Sequence, residues 1–179
     1  AVAMDADGNF VVSWTAENRD DRDNDVIARR FDNDGDALGD SFVVNSQTSG
    51  GQDSSAIAMN AAGQFVITWE GSGQDGDRDG IFAQVYDAAG NPVGDEIAVN
   101  DITAGDQNTP VVGIDSSGNF VIAWETQQFV RGEAIETEIG PISVASLESD
   151  IFVRRFDSTG TPIDDSFVVN AAPDNHHKA

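Results

Sequence analysis

The amino-acid sequence predicts an all-β protein made of tandem four-stranded antiparallel sheets. Three observations support this prediction. A strand-like motif recurs at a fixed step, as FVVSW at 10–14, FVITW at 65–69 and FVIAW at 120–124. A glycine turn comes just before each copy of the motif. No segment has the sustained 3.6-residue apolar period of an amphipathic helix.

The repeat boundaries follow from motifs that recur in the same order. Each copy continues with VIARRFD (26–32), IFAQVYD (81–87) or IFVRRFD (151–157), and it closes with a Val-Asn pair. The first two copies of this motif are 55 residues apart, whereas the third lies 70 residues after the second. We therefore predict repeats at 1–45, 46–100 and 101–170, with an insertion within 125–149, and a connector at 171–179.

Each repeat is expected to supply four strands in order. The first is a short apolar stretch such as residues 56–59, and the second is the Phe-to-Trp segment. A glycine turn joins these two strands, because glycine tolerates the positive φ that tight hairpins need. A polar loop leads to the third strand, and a second glycine turn precedes the fourth. The turn glycines are Gly8, Gly63 and Gly118 in the first turn, and Gly35, Gly90 and Gly160 in the second.

The second strand is apolar on both faces. In the first copy, Phe10, Val12 and Trp14 alternate with Val11. A strand of this kind lies between two neighbouring sheets. Repeated four-stranded sheets buried on both sides are typical of β-propeller blades, and a β-solenoid or a row of small sandwiches is the alternative. Three blades cannot close a ring, which takes about four or more.

The two ends of the chain continue the repeat pattern. Residues 171–179 look like the connector after a fourth strand, and residues 1–4 look like a first strand. If the end were joined to the start, Asn170 and Phe10 would be 19 residues apart, against 20 at each internal junction. We therefore expect a part of a longer repetitive chain or one unit of an assembly. The expected partners are other copies of the chain or flanking repeats.

The composition argues against several functional classes. The chain has 179 residues, with 9 Lys and Arg against 32 Asp and Glu, and a formal net charge of −23. It lacks the cation clusters that neutralise nucleic-acid phosphates, and anionic membrane surfaces repel it. No apolar run approaches the ~20 residues of a membrane helix. The absence of cysteine excludes disulfides and thiolate sites.

The combined motifs resemble a repeat found in very long bacterial surface and secreted proteins. The resemblance covers residues 5–170 apart from the insertion, and it is strongest in 60–107 and 115–124. Such chains often carry hemolysin-type calcium-binding repeats or cadherin-like domains elsewhere. The resemblance implies an extracellular or cell-surface location and a structural or adhesive role. It supplies no catalytic residues.

One acidic loop has the spacing of a calcium site. Asp75, Asp77 and Asp79 occupy alternate positions before a glycine, so their side chains can converge on one cation. The equivalent loop of the first repeat, in a shifted register, adds Asp20, Asp21 and Asp23. The distal bidentate Glu of an EF-hand is missing, and a solvated acidic loop is the alternative. Because so many carboxylates repel one another, calcium is the predicted cofactor.

Two other acidic segments, DADGN at 5–9 and DNDGD at 32–36, also look like calcium loops. Their counterparts in the other repeats keep the glycine but lose the second carboxylate, as in NAAGQ at 60–64. A turn needs only the glycine, whereas a metal needs the oxygens, so hairpin turns are predicted here.

One tryptophan position and one asparagine position recur in every repeat. Trp14, Trp69 and Trp124 share one position. A core role between sheets is predicted for them, because tryptophan is mostly buried, and stacking on sugar rings is the alternative. The other position is held by Asn45, Asn100 and Asn170. These amides are expected to bond the connector backbone.

The insertion is the individual feature of this chain. Its strand-like segments include Phe129, Val130, Ile135 and Ile139. An extended apolar segment can add to the sheet edge of a partner, so these four residues are candidates for self-association. A long surface hairpin is the alternative.

The sequence thus predicts a non-enzymatic structural or adhesive repeat module of an exported bacterial surface, matrix or filament protein. The module is expected to self-associate and to be stabilised by calcium. A carbohydrate-binding propeller, with glycans as partners, is the alternative. A hydrolase that uses paired carboxylates ranks last, because no single residue breaks the repeat pattern.

Overall fold

All the regular secondary structure described is β-strand. The structure is a computed structural model that describes residues 1–17, 23–137 and 140–170, without the side chains of residues 129–146. These ranges contain twelve strands and no helix, which confirms the all-β prediction. None of the described segments forms a helix that is long and apolar enough to cross a membrane.

The strands form three separate four-stranded antiparallel sheets, each in sequence order. Sheet 1 contains β1 (Val2–Met4), β2 (Phe10–Glu17), β3 (Asn24–Phe31) and β4 (Phe42–Val43). Sheet 2 contains β5 (Gln52–Met59), β6 (Phe65–Ser72), β7 (Asp79–Tyr86) and β8 (Pro92–Ala98). Sheet 3 contains β9 (Asp106–Ile114), β10 (Phe120–Thr137), β11 (Gly140–Phe156) and β12 (Phe167–Val168). Each sheet lies within one predicted repeat.

The predicted glycine turns join the strands. Gly8, at the first turn of sheet 1, has a φ of +88°, and the five other predicted turn glycines have similar values. The residue three positions before this glycine holds the turn closed. In sheet 1, Asp5 Oδ1 accepts the N–H groups of Asp7 and Asn9, both at 2.9 Å. In sheet 2 the side-chain oxygen of Asn60 does the same, so the turn requires an acceptor rather than a charge.

Sheet 2 lies between the other two sheets. Ile67 and Trp69 on one of its faces belong to an apolar cluster shared with sheet 1. Val66 and Ile81 on its opposite face belong to a second cluster, shared with sheet 3. Strand β6 is therefore buried over most of its length, as its apolar residues on both faces predict.

The stack of three sheets is open. Within the described residues it does not close into a ring or a barrel, because the three sheets remain separate and the outer faces of sheets 1 and 3 stay exposed. The array of four-stranded antiparallel sheets agrees with the sequence prediction, whereas the β-propeller stays a prediction.

The insertion lengthens the middle hairpin of sheet 3. Strands β10 and β11 pair from Phe120↔Phe156 to Thr137↔Gly140, with a bulge between Arg131 and Ala134. Strand β9 accompanies β10 only as far as Gln127. The side chains of Phe129, Val130 and Ile135 lie outside the description, and so does residue Ile139 as a whole. Their role in self-association therefore stays a prediction.

Candidate functional site

The candidate site consists of the two sheet faces that the stack leaves uncovered. Successive residues of a strand point to opposite sides, so Phe10, Val12 and Trp14 share one face of sheet 1, here called the front face. Val11 lies on the opposite, back face. In sheets 2 and 3 the front face packs on the back face of the preceding sheet. The stack therefore has a direction, with a free front face on sheet 1 and a free back face on sheet 3.

Exposure of the front-face residues shows the effect of a missing neighbour. Trp69 and Trp124 are 0% and 2% exposed, whereas Trp14, at the same repeat position, is 38% exposed. Met4 is 60% exposed, while its counterpart Met59 packs into the cluster between sheets 1 and 2. The predicted core role thus describes two of the three tryptophans. The third is exposed because none of the described sheets covers the front face of sheet 1.

The back face of sheet 3 is exposed in the same way. Val121 is 39% exposed, whereas its counterparts Val11 and Val66 are 1% and 0% exposed. Val169 is 52% exposed, against 0% for Val99. These residue types are kept from repeat to repeat, and their burial depends on whether another sheet follows.

Backbone carbonyls of one turn are acceptors in both internal interfaces. Arg30 Nη2 donates to the Ala88 carbonyl at 2.7 Å, and its Nη1 donates to the Ala89 carbonyl. Between sheets 2 and 3, Gln64 Nε2 donates to the Ser158 carbonyl at 3.0 Å. Ser158 and Ala88 occupy equivalent repeat positions. In both interfaces, therefore, the turn between the third and fourth strands accepts hydrogen bonds from side chains of the preceding sheet.

The connectors supply a second contact between sheets. The Ser46 N–H after sheet 1 donates to Glu96 Oε2 of sheet 2 at 2.7 Å. After sheet 2, the equivalent residue Asp101 accepts through Oδ2 from the Ser166 N–H of sheet 3 at 2.9 Å. Donor and acceptor are exchanged, but the same two repeat positions meet. The contact therefore depends on position rather than on one particular residue pair.

The hydrogen bonds from arginine side chains to backbone carbonyls were not predicted from the sequence. Arg154 Nε donates to the Asp164 carbonyl at 3.1 Å, and its Nη1 reaches the Val99 carbonyl of sheet 2 at 2.9 Å. Arg29, its counterpart, donates through Nε to the Gly39 carbonyl at 3.0 Å. The signal was present in the sequence, because an Arg-Arg pair recurs at one repeat position of a very acidic chain. The two pairs are Arg29-Arg30 and Arg154-Arg155.

The recurrent asparagines tie the third strand to the connector. Asn100 Oδ1 accepts the Ile81 N–H at 2.8 Å, and Nδ2 donates to the Ile102 carbonyl at 3.1 Å. Asn45 makes both equivalent bonds, and Asn170 makes the first. The bond to the connector was predicted from the sequence. The bond to the third strand was not.

The residues of the predicted calcium loop bond to different protein groups. Asp75 Oδ2 accepts from Asn100 Nδ2 at 2.8 Å, and Asp77 Oδ2 accepts the Gly105 N–H at 3.0 Å. Asp79 instead lines a cleft beside the edge of sheet 2. These contacts give Asp75 and Asp77 structural roles in holding the connector that follows sheet 2.

Asp23 of the first repeat makes the same kind of contact as Asp77 of the second. Asp23 Oδ2 accepts the Gly50 N–H at 3.0 Å, and Gly50 is equivalent to Gly105. Asp20 and Asp21 lie outside the described residues. Within the part of the chain that is described, no group of three or more His, Cys, Asp or Glu side chains could hold a metal ion. Calcium at these positions stays a prediction.

Hydrogen bonds at the first turns lower carboxylate pKa values. Asp115 accepts the N–H groups of Ser117 and Asn119 at 2.8 and 2.9 Å, and the Asn119 side chain at 3.0 Å. The side-chain bond contributes most to lowering the pKa of Asp115. The bond from the Asn9 side chain lowers the pKa of Asp5 in the same way. The turn thus favours the ionised form, because these bonds are made to the carboxylate.

A small acidic cleft is lined by residues of sheet 2 and of the segment that leads into it. It has a volume of about 170 Å³, and its lining includes Asp53, Glu70 and Asp79. Burial raises the pKa of Glu70, and the charge of Asp53 adds to the rise. Glu70 Oε1 also accepts the Thr109 N–H of strand β9 at 2.6 Å. Glu70 therefore acts as a contact between two sheets.

In comparisons with known proteins, no family model matches the chain and no curated protein matches it significantly. The resemblance to repeats of bacterial surface proteins therefore stays an expectation from the sequence.

Proposed function

We propose that the chain is a non-enzymatic structural repeat module that works by stacking on further repeat units. The observation that supports it is the contrast between equivalent positions. Trp69 and Val66 of sheet 2 are fully buried by neighbouring sheets, whereas Trp14 and Val121 are exposed on the two outer faces. Contiguous exposed apolar surface is typical of an interaction site.

The repeat architecture explains how such a module gains stability. In a linear array each unit contacts only its neighbours, so stability is the sum of unit terms and interface terms. Sheet 2 has two interfaces, and sheets 1 and 3 have one each. Any unit that covers an outer face adds one interface term. Covering both faces would give a closed β-propeller or an open filament, depending on whether the rotation between units closes.

The location and the cofactor belong to the same proposal. An exported surface, matrix or filament protein is favoured by the resemblance in residues 5–170, and the net charge of −23 keeps such a chain soluble. Calcium at Asp75, Asp77 and Asp79 is retained as the proposed stabilising ion.

The proposal is tested by adding a further repeat. A second copy of residues 46–100 is appended after Asn170, in the register that Ser46 has after Asn45. Its front face should cover the back face of sheet 3. Urea unfolding of the extended chain should therefore stay cooperative, with a higher midpoint than that of the original chain. The matched control carries Ile67→Asp in the appended copy only, which places a charge in the new interface. Equal midpoints for the two chains would contradict a stacking function.

A carbohydrate-binding module is the second candidate, because Trp14 exposes 38% of its surface. An exposed indole can stack on a sugar ring. Titration with mono- and oligosaccharides tests this candidate through tryptophan fluorescence. Saturable quenching that Trp14→Ala abolishes would favour glycan binding, whereas a flat titration leaves stacking on further repeats as the role of this face.

A further inference from the structure

The back face of sheet 3 carries an apolar cleft with a volume of about 510 Å³. Its lining includes Asp115, Asn119, Val121, Arg155 and Ile163. Most of the lining surface is apolar, and Arg155 is the one cation in the lining. Arg155 meets Asp164 through Nε at 2.9 Å, and its side chain remains 57% exposed.

The same cleft exists between sheets 1 and 2, where it is largely filled. The repeat counterparts of the lining residues are Asp5, Asn9, Val11, Arg30 and Leu38, and all of them line a cavity of only about 100 Å³. The remaining lining of that cavity includes Met59, Gly63 and Ala88 of sheet 2. The front of a following sheet thus reduces this cleft to a fifth of its volume.

The residues that would fill the open cleft are present at the other end of the chain. The counterparts of Met59, Gly63 and Ala88 in sheet 1 are Met4, Gly8 and Asn33. Met4 is 60% exposed and Asn33 is also exposed. The chain therefore carries an unfilled cleft on sheet 3 and the group that fits such a cleft on sheet 1.

The glycine of the turn between the third and fourth strands supports the same pairing. A Cβ on Gly90 would come within 2.7 Å of Arg30 Cδ, and a Cβ on Gly160 within 2.6 Å of Ile97 Cδ1. In each case the close atom belongs to the preceding sheet. A Cβ on Gly35, the counterpart in sheet 1, would meet nothing within 4 Å. The Gly35 turn therefore has the space that a preceding sheet occupies elsewhere.

We propose that the back face of sheet 3 binds the front face of sheet 1 of a second copy of this chain. This inference rests on the proposed stacking function, and it names the partner. Met4, Gly8 and Asn33 of the second copy enter the cleft beside Arg155. By analogy with Arg30, Arg155 then donates to the backbone carbonyls of the Asn33 turn. By analogy with Arg154, Arg29 of the second copy donates to the Val169 carbonyl.

The contact is heterologous, because two different faces of the chain meet. One contact leaves a free front face and a free back face, so association continues until a ring closes or a filament grows. The net charge of −23 on each copy opposes the approach. Raising the salt from about 0.15 M to about 1 M shortens the screening length from ~8 to ~3 Å, so salt should strengthen the association.

Three variants with the same change in charge test the contact. Val121→Glu blocks the back face of sheet 3, and Met4→Glu blocks the front face of sheet 1. Ile102→Glu is the matched control, because Ile102 is 47% exposed on a connector. All three side chains are exposed in the single chain, so each variant should fold. Circular dichroism spectra that match the unaltered chain check the fold.

Light scattering over a concentration series, at both salt concentrations, gives the mass of each sample. The unaltered chain and Ile102→Glu should associate, and the two face variants should each have the mass of one chain. A mixture of Val121→Glu with Met4→Glu should have the mass of two chains and no more. Each variant supplies the face that the other lacks, so only one contact can form.

Three results would overturn the inference. The first is an unaltered chain that stays monomeric at both salt concentrations. The second is a Val121→Glu variant that associates as strongly as the unaltered chain. The third is a mixture of Val121→Glu and Met4→Glu that stays monomeric. A monomeric chain that still gains stability from an appended repeat would keep the proposed function and assign the cleft to a repeat within the same polypeptide. Failure of both experiments would remove the stacking function itself.

Discussion

Truncating Trp69 is expected to destabilise the protein far more than truncating Trp14. Trp69 is fully buried, and its ring stacks on Phe82 with centroids 6.5 Å apart. Its Nε1 donates to Gln52 Oε1 at 3.2 Å. Removing a buried tryptophan costs about 3–5 kcal/mol, and the orphaned Gln52 oxygen adds about 1 kcal/mol. We therefore expect Trp69→Ala to lower the free energy of unfolding by about 5 kcal/mol.

Trp14 occupies the same repeat position without a covering sheet. It is 38% exposed, so less apolar surface returns to water when the ring is removed. We expect Trp14→Ala to cost about 2 kcal/mol in dilute solution, where single chains dominate. Trp124, at 2% exposure, provides a second buried case and should behave like Trp69.

Urea unfolding followed by circular dichroism measures these differences. With a slope of about 1–3 kcal/mol per molar, a gap of about 3 kcal/mol separates the two midpoints by 1 M or more. Equal costs for Trp69→Ala and Trp14→Ala would refute the assignment of the front faces. The protein concentration should be kept low, because association would cover Trp14 and raise its cost.

Three further predictions concern polar groups. Asn100→Ala should lower the free energy of unfolding in urea by about 3 kcal/mol, because it leaves the buried Ile81 N–H without its acceptor. The exposed equivalent, Asn170→Ala, should lower it by less than about 1 kcal/mol. Equal losses for the two variants would contradict the role given to burial. The lowered pKa values of Asp5 and Asp115 mean that their turns stabilise the fold above the ordinary pKa of 3.8 and lose that stability as pH falls through the lowered values. Changing both to Asn, the residue found at position 60, should therefore reduce the loss of the urea midpoint between pH 7 and pH 3, and an unchanged loss would count against the turn bonds. Bound calcium at Asp75, Asp77 and Asp79 requires the thermal midpoint to fall on chelation, and a midpoint that stays constant removes calcium from the proposal.

The strand content and the turns could be predicted from the sequence because both depend on local chemistry. Phe65, Ile67 and Trp69 alternate with Val66, and that pattern alone indicates a strand buried on both faces. Gly63 between two apolar runs indicates a hairpin, and its φ of +86° explains why glycine is needed. Repetition of these signals made the division into sheets predictable as well.

The direction of the stack could not be predicted in this way. Alternation shows that Trp69 and Val66 lie on opposite faces, but which face meets the preceding sheet depends on how the connectors turn. The cross-sheet contacts of Arg30 and Arg154 were missed for the same reason, since their acceptors are 58 and 55 residues away in sequence.

The predicted calcium loop shows why side-chain contacts could not be predicted from sequence spacing. The spacing of Asp75, Asp77 and Asp79 is compatible with convergence on one ion, and equally with three separate contacts. The spacing cannot reveal that Asn100 and Gly105 supply donors, because these residues are 25 and 28 residues away and reach the loop only when the chain returns after strand β8.

The long hairpin of sheet 3 would give an array of stacked copies a regular spacing. Beyond Gln127, strand β10 has left its neighbour β9 and runs on beside β11 as a two-stranded ribbon to Thr137. Only one sheet in three carries this ribbon. Because stacked sheets lie about 10 Å apart, copies joined face to face would display one ribbon roughly every 30 Å along the stack. The protein would then present its most individual segment as a regular series of projections, with a pitch set by the number of sheets in the chain.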